Sequence, residues 1–255
     1  MRIATWNVNS VRARLARIEP WLEKWKPDVL GLQETKVRDG EFPREAFSAS
    51  GYELEIHGQK TYNGVALASR EPLEGVFRGF ADDPPDADRR AIGGRIGDLT
   101  VVTVYVPNGT ELGSERFAFK LEWFRRLRAE LEARFQPSDP VIVCGDFNVA
   151  PEDRDVYDPD AWRGKLLFHP DEHAALAHLM GWGLVDAFRL QTPDAGYYSW
   201  WDYRAGMFHK GKGLRIDLVL VTRSLAERVR AVVIDREARK GPKPSDHAPV
   251  IVDLR

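Results

Sequence analysis

Val141-Ile142-Val143-Cys144-Gly145-Asp146-Phe147-Asn148 is the stretch on which the fold of this chain turns. Residues 141–145 form a short apolar run with the length and composition of a buried strand. An acid and an amide then follow within three residues. Asp and Asn are poor strand residues and common turn residues, so either one alone reads as the turn that ends the strand. A carboxylate drawn under cover costs several kcal/mol unless it is paired or holds a metal. The same two residues are therefore also candidates for chemistry.

The same ending recurs along the chain. Residues 2–7 read as a strand ending in Asn7, and residues 28–34 as one ending in Gln33-Glu34. Residues 64–69 read as a further strand. The run 99–106 contains Tyr105, with Asn108 just beyond it. The run 215–221 encloses Asp217 between Ile216 and Leu218, and 248–254 follows directly on Ser245-Asp246-His247. Glu34 is not a turn former, and Asp217 stands where a neutral side chain is expected. His247 gains weight from its place between an acid and a strand. Jointly these residues describe one convergent site rather than a set of unrelated turns.

Helical spacing appears between some of the strands. Phe117, Leu121, Phe124, Leu127, Leu131 and Phe135 share one face, with Ser114 as N-cap. Val11, Leu15, Ile18, Leu22 and Trp25 share another, which Pro20 is expected to kink or interrupt. Residues 173–180 read as a third helix. Strands joined partly by hairpin-length turns and partly by helices suggest an α/β sandwich. The alternating βαβ pattern of a Rossmann sheet or a TIM barrel is absent.

The chain has 255 residues, 43% hydrophobic and 30% charged, which is globular composition. The loops at 81–88 and 151–159 are too short for linkers, so the chain reads as one domain over 1–255. No apolar run approaches the ~20 residues of a membrane span, and the first residues show no signal-peptide core. Cys144 is the single cysteine, which excludes an internal disulfide and fits a reducing cytoplasm. The net charge of −2 excludes a uniformly basic nucleic-acid binder. The charge is uneven: residues 201–250 hold eleven Lys/Arg against six Asp/Glu, and residues 151–200 hold four against nine. That distribution permits a local basic patch.

Carboxylate ligands with one candidate histidine and no thiolate suit Mg²⁺ or Mn²⁺ rather than zinc. Mg²⁺ typically sits on one or two carboxylates plus a substrate phosphate. Asn, Tyr and His can donate to phosphate oxygens, and a carboxylate or imidazole can take a proton from water. The set is a kit for metal-assisted phosphoester hydrolysis. No glycine-rich phosphate loop is present, which argues against nucleotide-driven phosphoryl transfer.

Six stretches carry a family resemblance. They are Thr5-Trp6-Asn7-Val8-Asn9, Leu30-Gly31-Leu32-Gln33-Glu34-Thr35-Lys36 and Tyr105-Val106-Pro107-Asn108-Gly109, followed by Gly145-Asp146-Phe147-Asn148-Val149-Ala150-Pro151, Gly213-Leu214-Arg215-Ile216-Asp217 and Ser245-Asp246-His247-Ala248-Pro249. In this order they resemble the exonuclease III class of apurinic/apyrimidinic (AP) endonucleases, within the endonuclease/exonuclease/phosphatase superfamily. The block Ser199-Trp200-Trp201-Asp202-Tyr203-Arg204 resembles its DNA-repair branch. The resemblance implies a four-layer α/β sandwich of two packed mixed sheets flanked by helices. It implies Glu34 as a metal ligand, with Asn7, Asp246, Asp146 and Asn148 as further contributors to the metal site. Tyr105, Asn108 and Asn148 would hold the scissile phosphate. Asp146 would orient or deprotonate the attacking water, and Asp217 would hydrogen-bond His247. Both Asp146 and His247 stand open as general base; the working assignment makes Asp146 the base and His247 a cationic stabiliser.

The same resemblance places Trp200 against a flipped-out abasic sugar, while Trp6 and Trp182 read as core. Arg204, His209, Lys210, Lys212 and Arg215 follow the Trp pair in a Gly-rich loop suited to DNA phosphates. Lys36 and Arg89-Arg90 would extend that track, whereas Arg125-Arg126-Arg128 reads as a solvated helix face. The implied protein is a Mg²⁺-dependent monomer, with Mn²⁺ able to substitute. It would cut duplex DNA 5′ to abasic sites and trim 3′ ends at the same site. The competing readings are a superfamily phosphoesterase acting on RNA, a lipid headgroup or a small phosphoester, and a non-catalytic DNA-binding protein.

Overall fold

The apolar runs become the inner strands of two sheets. The computed structural model describes all 255 residues. Its strands are β1 (Arg2–Asn7), β2 (Val29–Gln33), β3 (Glu53–His57), β4 (Val65–Ser69), β5 (Glu74–Arg78) and β6 (Ala91–Ile96), then β7 (Leu99–Tyr105), β8 (Val141–Asp146), β9 (Leu184–Asp186), β10 (Asp217–Thr222), β11 (Val229–Ile234) and β12 (Val250–Leu254). Its helices are α1 (Val11–Trp25), α2 (Arg44–Ala49), α3 (Glu115–Arg134), α4 (Pro159–Trp162), α5 (Pro170–Met180), α6 (Ala187–Gln191) and α7 (Arg223–Ala226). One sheet has the order β11-β12-β1-β2-β4-β3, the other β5-β6-β7-β8-β10-β9. Each contains a single parallel pair, β1/β2 and β7/β8. These are the pairs whose connections run through the long helices α1 and α3, as parallel pairing requires a crossover.

Three apolar layers hold the stack. Ile3, Val29 and Leu67 of the first sheet meet Val101, Ile142 and Val219 of the second in the layer between them. Ile18, Leu22 and Phe47 cover the outer face of the first sheet, and Phe124, Leu127 and Leu179 that of the second. The result is the four-layer mixed α/β sandwich that the family resemblance implied. Trp6 and Trp182 are core, as expected.

Strand alternation then fixes where the polar ends point. Ile3 and Thr5 face inward, and so Asn7 does too. The same register brings Gln33, Tyr105, Asp146 and Asp217 into the layer between the sheets at one end. Just beneath them, Gln33 Nε2 donates to Thr5 Oγ1 at 2.8 Å and to Thr103 Oγ1 at 2.6 Å, tying one sheet to the other.

Three expectations change. Helix α1 passes through Pro20 without interruption. Pro20 lies on its exposed face, where water can serve the carbonyl that loses its amide partner. Asp217 opens β10 rather than sitting inside a strand. Strands β3, β5, β6, β9 and β11 were not foreseen. Four of them are sheet edges with little covered surface to pattern them, and β6 carries Gly93 and Gly94 against Phe77 and Leu73.

Gly145, one residue before Asp146, has φ 148°, and a Cβ there would lie 1.9 Å from the Val104 carbonyl oxygen. Gly145→Ala is expected to destabilise the protein by more than ~2 kcal/mol in urea titration. An unchanged midpoint would show that β7 and β8 can separate there.

Candidate active site

The site is the charged end of the inter-sheet layer. Asn7 closes β1 and donates through Nδ2 to Glu34 Oε1 and to Asp146 Oδ2, both at 2.9 Å. Glu34 stands one residue past β2 with φ 50°, a turn that swings its carboxylate back toward the layer. Lys36 Nζ meets Glu34 Oε2 at 2.7 Å. Asp217 is the cross-strand partner of Asp146 in the β8/β10 ladder. His247 enters from the other sheet, on the turn before β12. Its Nδ1 lies 2.9 Å from Asp217 Oδ2, and its Nε2 lies 3.7 Å from Asp146 Oδ2. Single donor atoms of Glu34, Asp146 and His247 all fall within 4.8 Å of one another.

Burial sets the protonation of this group. Burial raises the Asp146 carboxyl to about 7, against the pull of the neighbouring His247 charge. Burial alone would lower His247, but the carboxylates of Asp217 and Asp146 outweigh it and lift the imidazole to about 10. His247 is therefore a cation at neutral pH, which suits donation to an oxyanion and not metal ligation. Burial, with Glu34 and Asp146 adding to it, holds the Tyr105 hydroxyl well above its ordinary range, so it stays a donor. Arg90 lies over the Tyr105 ring at 4.9 Å.

The two asparagines face each other. Asn108 Nδ2 donates to Asn148 Oδ1 at 3.0 Å, and Asn148 Nδ2 donates to the Val106 carbonyl at 2.9 Å. The Asn148 backbone N–H donates to Asp146 Oδ1 at 2.9 Å. With its amide oxygen taken, Asn148 keeps a free N–H, which fits a phosphate oxygen better than a cation. Asn7 likewise turns its N–H₂ toward the two carboxylates, while its oxygen accepts from the Asn9 N–H at 3.0 Å. In this geometry Asn7 braces the carboxylates and offers them no competing oxygen.

Asp246 lies beside the cluster instead of in it. Its oxygens accept from Asn9 Nδ2 at 2.9 Å and from Trp200 Nε1 at 3.1 Å. Trp200 is half-buried, bridges Leu214 and His247 through its backbone, and carries its indole N–H to Asp246; Trp201 is the core member of the pair. Arg204, Lys210 and Lys212 are exposed on the following loop, although Arg204 is engaged by Asp202 at 2.6 Å.

Several cations expected on a DNA track are used elsewhere. Arg215 is buried, with Nε 2.6 Å from Asp155 and Nη2 2.7 Å from Asp186. Arg189 also binds Asp155, so the acidic turn after Asn148 is neutralised from within. Lys36 serves Glu34, and Arg90 serves Asp88 and the Tyr105 ring. Arg126, read as solvated, is mostly covered and ties α3 to Asp82 and Asp83. Lys120 was missed altogether. It falls at the i+3 place of the apolar stripe of α3, so an unexplained charge on a buried face was its readable signal.

Residues 4–247 match the endonuclease/exonuclease/phosphatase family. The chain belongs to that family, and within it to the exonuclease III class. It is 39% identical over 267 residues to exodeoxyribonuclease III of Haemophilus influenzae, all of both chains being covered. An AP endonuclease from Archaeoglobus fulgidus is 39% identical and superposes with a TM-score of 0.95, over 100% of this chain and 99% of that one. A 3′ phosphatase from Neisseria, in a structure bound to a product DNA hairpin, is 38% identical with a TM-score of 0.96 over the same shares. This member of the exonuclease III class is thus a nuclease, a hydrolase of phosphodiesters.

Its acid–imidazole cluster has a readable pH signature. Asp146 and His247 are both lifted above their ordinary values of 3.8 and 6.5. Each therefore holds its proton more tightly folded than unfolded. The resulting stabilisation is complete at low pH. It is lost from pH 3.8 to about 7 for Asp146, and from 6.5 to about 10 for His247. In EDTA the thermal midpoint is expected to fall by several degrees as pH rises from 7 to 10. Asp217→Asn should flatten that slope; an equally steep slope in the variant would show that Asp217 does not hold the His247 proton.

Proposed function

We propose that this nuclease is a DNA-repair enzyme that hydrolyses the phosphodiester 5′ to abasic sites in duplex DNA. At the same site it would remove 3′ blocking groups, 3′ phosphates or nucleotides. One observation carries the reading: the Glu34 and Asp146 carboxylates meet opposite a row of donors from Tyr105, Asn108, Asn148 and His247.

The donor set fits a hard divalent cation. Two carboxylates converge on one spot, no thiolate is near, and the one imidazole is committed to a proton. We assign Mg²⁺, with Mn²⁺ as substitute; Glu34 and Asp146 would hold it. When bound, it supplies Lewis-acid polarisation of a phosphoryl oxygen. Asn108, Asn148 and Tyr105 donate to the non-bridging oxygens and fix the phosphate. Asp146, with its pKa near the working pH, takes the proton of the attacking water. His247, kept cationic and oriented by Asp217, donates to the charge that develops on phosphorus-bound oxygen. Asn108 also holds Asn148 in place through its second N–H. Trp200, pinned to Asp246, walls the space for a base-less sugar, which flips at least cost. Lys210, Lys212 and Arg204 meet flanking phosphates. The protein would act as a single domain and a monomer, and its buried Cys144 suits a reducing cytoplasm.

The test is a labelled duplex with one abasic analogue beside an intact duplex, in Mg²⁺ and in EDTA. Mg²⁺-dependent cutting at the abasic position is expected. Glu34→Ala should lower it by ~10²-fold or more, the equivalent of several kcal/mol of transition-state stabilisation. Loss only from 3′ ends on both duplexes would make exonuclease the main activity. No cutting with either metal, alongside turnover of a lipid or small phosphoester, would replace DNA as the substrate.

A further inference from the structure

Lys120 and Glu172 form an ion pair in which neither side chain is exposed at all. Lys120 comes from α3 and Glu172 from the first turn of α5, on the outer side of the second sheet. The ammonium has three protons and meets three acceptors. One is the Glu172 carboxylate, the second is the Asn148 carbonyl at 2.7 Å, and the third is the Asn108 carbonyl at 3.1 Å. Both carbonyls belong to the residues assigned above to the phosphate. We infer that Lys120 is a positioning residue for the reaction: it locks the backbones of Asn108 and Asn148 together so that their side chains present one fixed donor surface.

Several features argue for this role over packing or charge balance. All three donors are spent on protein acceptors, so Lys120 has none left for DNA. Asn148 has φ 50°, a left-handed backbone that asparagine tolerates, and Lys120 caps its carbonyl in that conformation. The Asn108 side chain bonds that of Asn148, so a slip of either backbone would misplace both amides. The anchor is itself anchored, because the second Glu172 oxygen accepts the His169 N–H at 3.0 Å in the capping box of α5. Buried pairs of this kind can often be replaced by apolar side chains with little loss of stability. Stability alone therefore does not explain a lysine in an apolar stripe.

The test is the full-length double variant Lys120→Met with Glu172→Leu, which removes both buried charges together, beside Lys120→Met alone. The double variant is expected to keep the wild-type circular dichroism spectrum and a cooperative melt. Its kcat on the abasic duplex should fall at least tenfold, with KM changed less than threefold. A wild-type kcat in the double variant would overturn the inference and leave Lys120 as half of a structural pair. Failure of the double variant to fold would overturn it as well, making Lys120 a folding residue. A rise in KM at unchanged kcat would also overturn it, by placing Lys120 in DNA binding. The inference rests on reading Asn108 and Asn148 as the phosphate holders. A wild-type protein inert on every phosphodiester would remove that reading, whereas an active wild type with an unimpaired double variant removes this one alone.

Discussion

Asp146, Asp217 and His247 are all under 5% exposed, and they share the end of the layer between the sheets. Asp146 and Asp217 face each other directly across the β8/β10 ladder. Two like charges in that relation repel, and burial removes the water that would screen them. The imidazolium of His247, carried in from the opposite sheet, is what makes the arrangement tenable. Asn7 adds two N–H donors from β1. The polar tier of Thr5, Gln33 and Thr103 just beneath holds the sheets at the spacing this needs. The site and the packing of the sheets are therefore one problem: move either sheet and the buried charge loses its compensation.

This is also why the site could be read from the chain. Each strand that reaches it must stop being apolar at the inward position where the layer turns charged. Asn7, Asp146 and Asp217 mark that point in three separate runs, with Glu34 one residue past a fourth. What could not be read was the partnership of the cations. Arg215, Lys36 and Arg90 look like free charges in loops, yet each is bound to a carboxylate far away in the sequence or two residues off. No periodicity encodes that pairing, because it depends on the turn 152–155 and the end of β9 arriving beside Arg215. The edge strands were hidden for a related reason. A strand such as β5, with no fully buried residue, has no apolar alternation to display.

The fate of the basic residues bears on how a protein of net charge −2 could hold a polyanion. Arg14, Arg17 and Arg239 donate to the carbonyls of residues 238–245 and so fasten the segment that carries Asp246 and His247. Arg239, with the buried Arg215, is the part of the late positive excess that is spent on structure. It shapes the site from behind. Eight of the eleven cations in residues 201–250 still face solvent, Arg204, Lys210 and Lys212 among them on the loop after Trp200. Exposed cations act on phosphates without reading sequence, and the affinity they give falls with salt. Selectivity would then rest on the shape of the site.

That division bears on the range of reactions one site can serve. The donors proposed to contact phosphate, Tyr105, Asn108 and Asn148, carry no information about a base, and neither do the carboxylates. Any phosphoester presented to them in the right orientation meets the same electrostatics, whether it lies within a strand or at a 3′ end. What differs is the body attached to it. Trp200 cannot swing freely, because its indole N–H is held by Asp246, itself fastened by Asn9 and thereby to Lys36 and Glu34. A wall tied through Asp246, Asn9 and Lys36 to the carboxylate proposed to hold the metal would be a rigid gauge of what stands beside the phosphate. A bare sugar or a chain end passes such a gauge more readily than a stacked nucleotide, which would have to surrender its base pairing to enter. On this account endonuclease and 3′-end activities need no separate machinery, and their balance is set by the width of the space that Trp200 leaves.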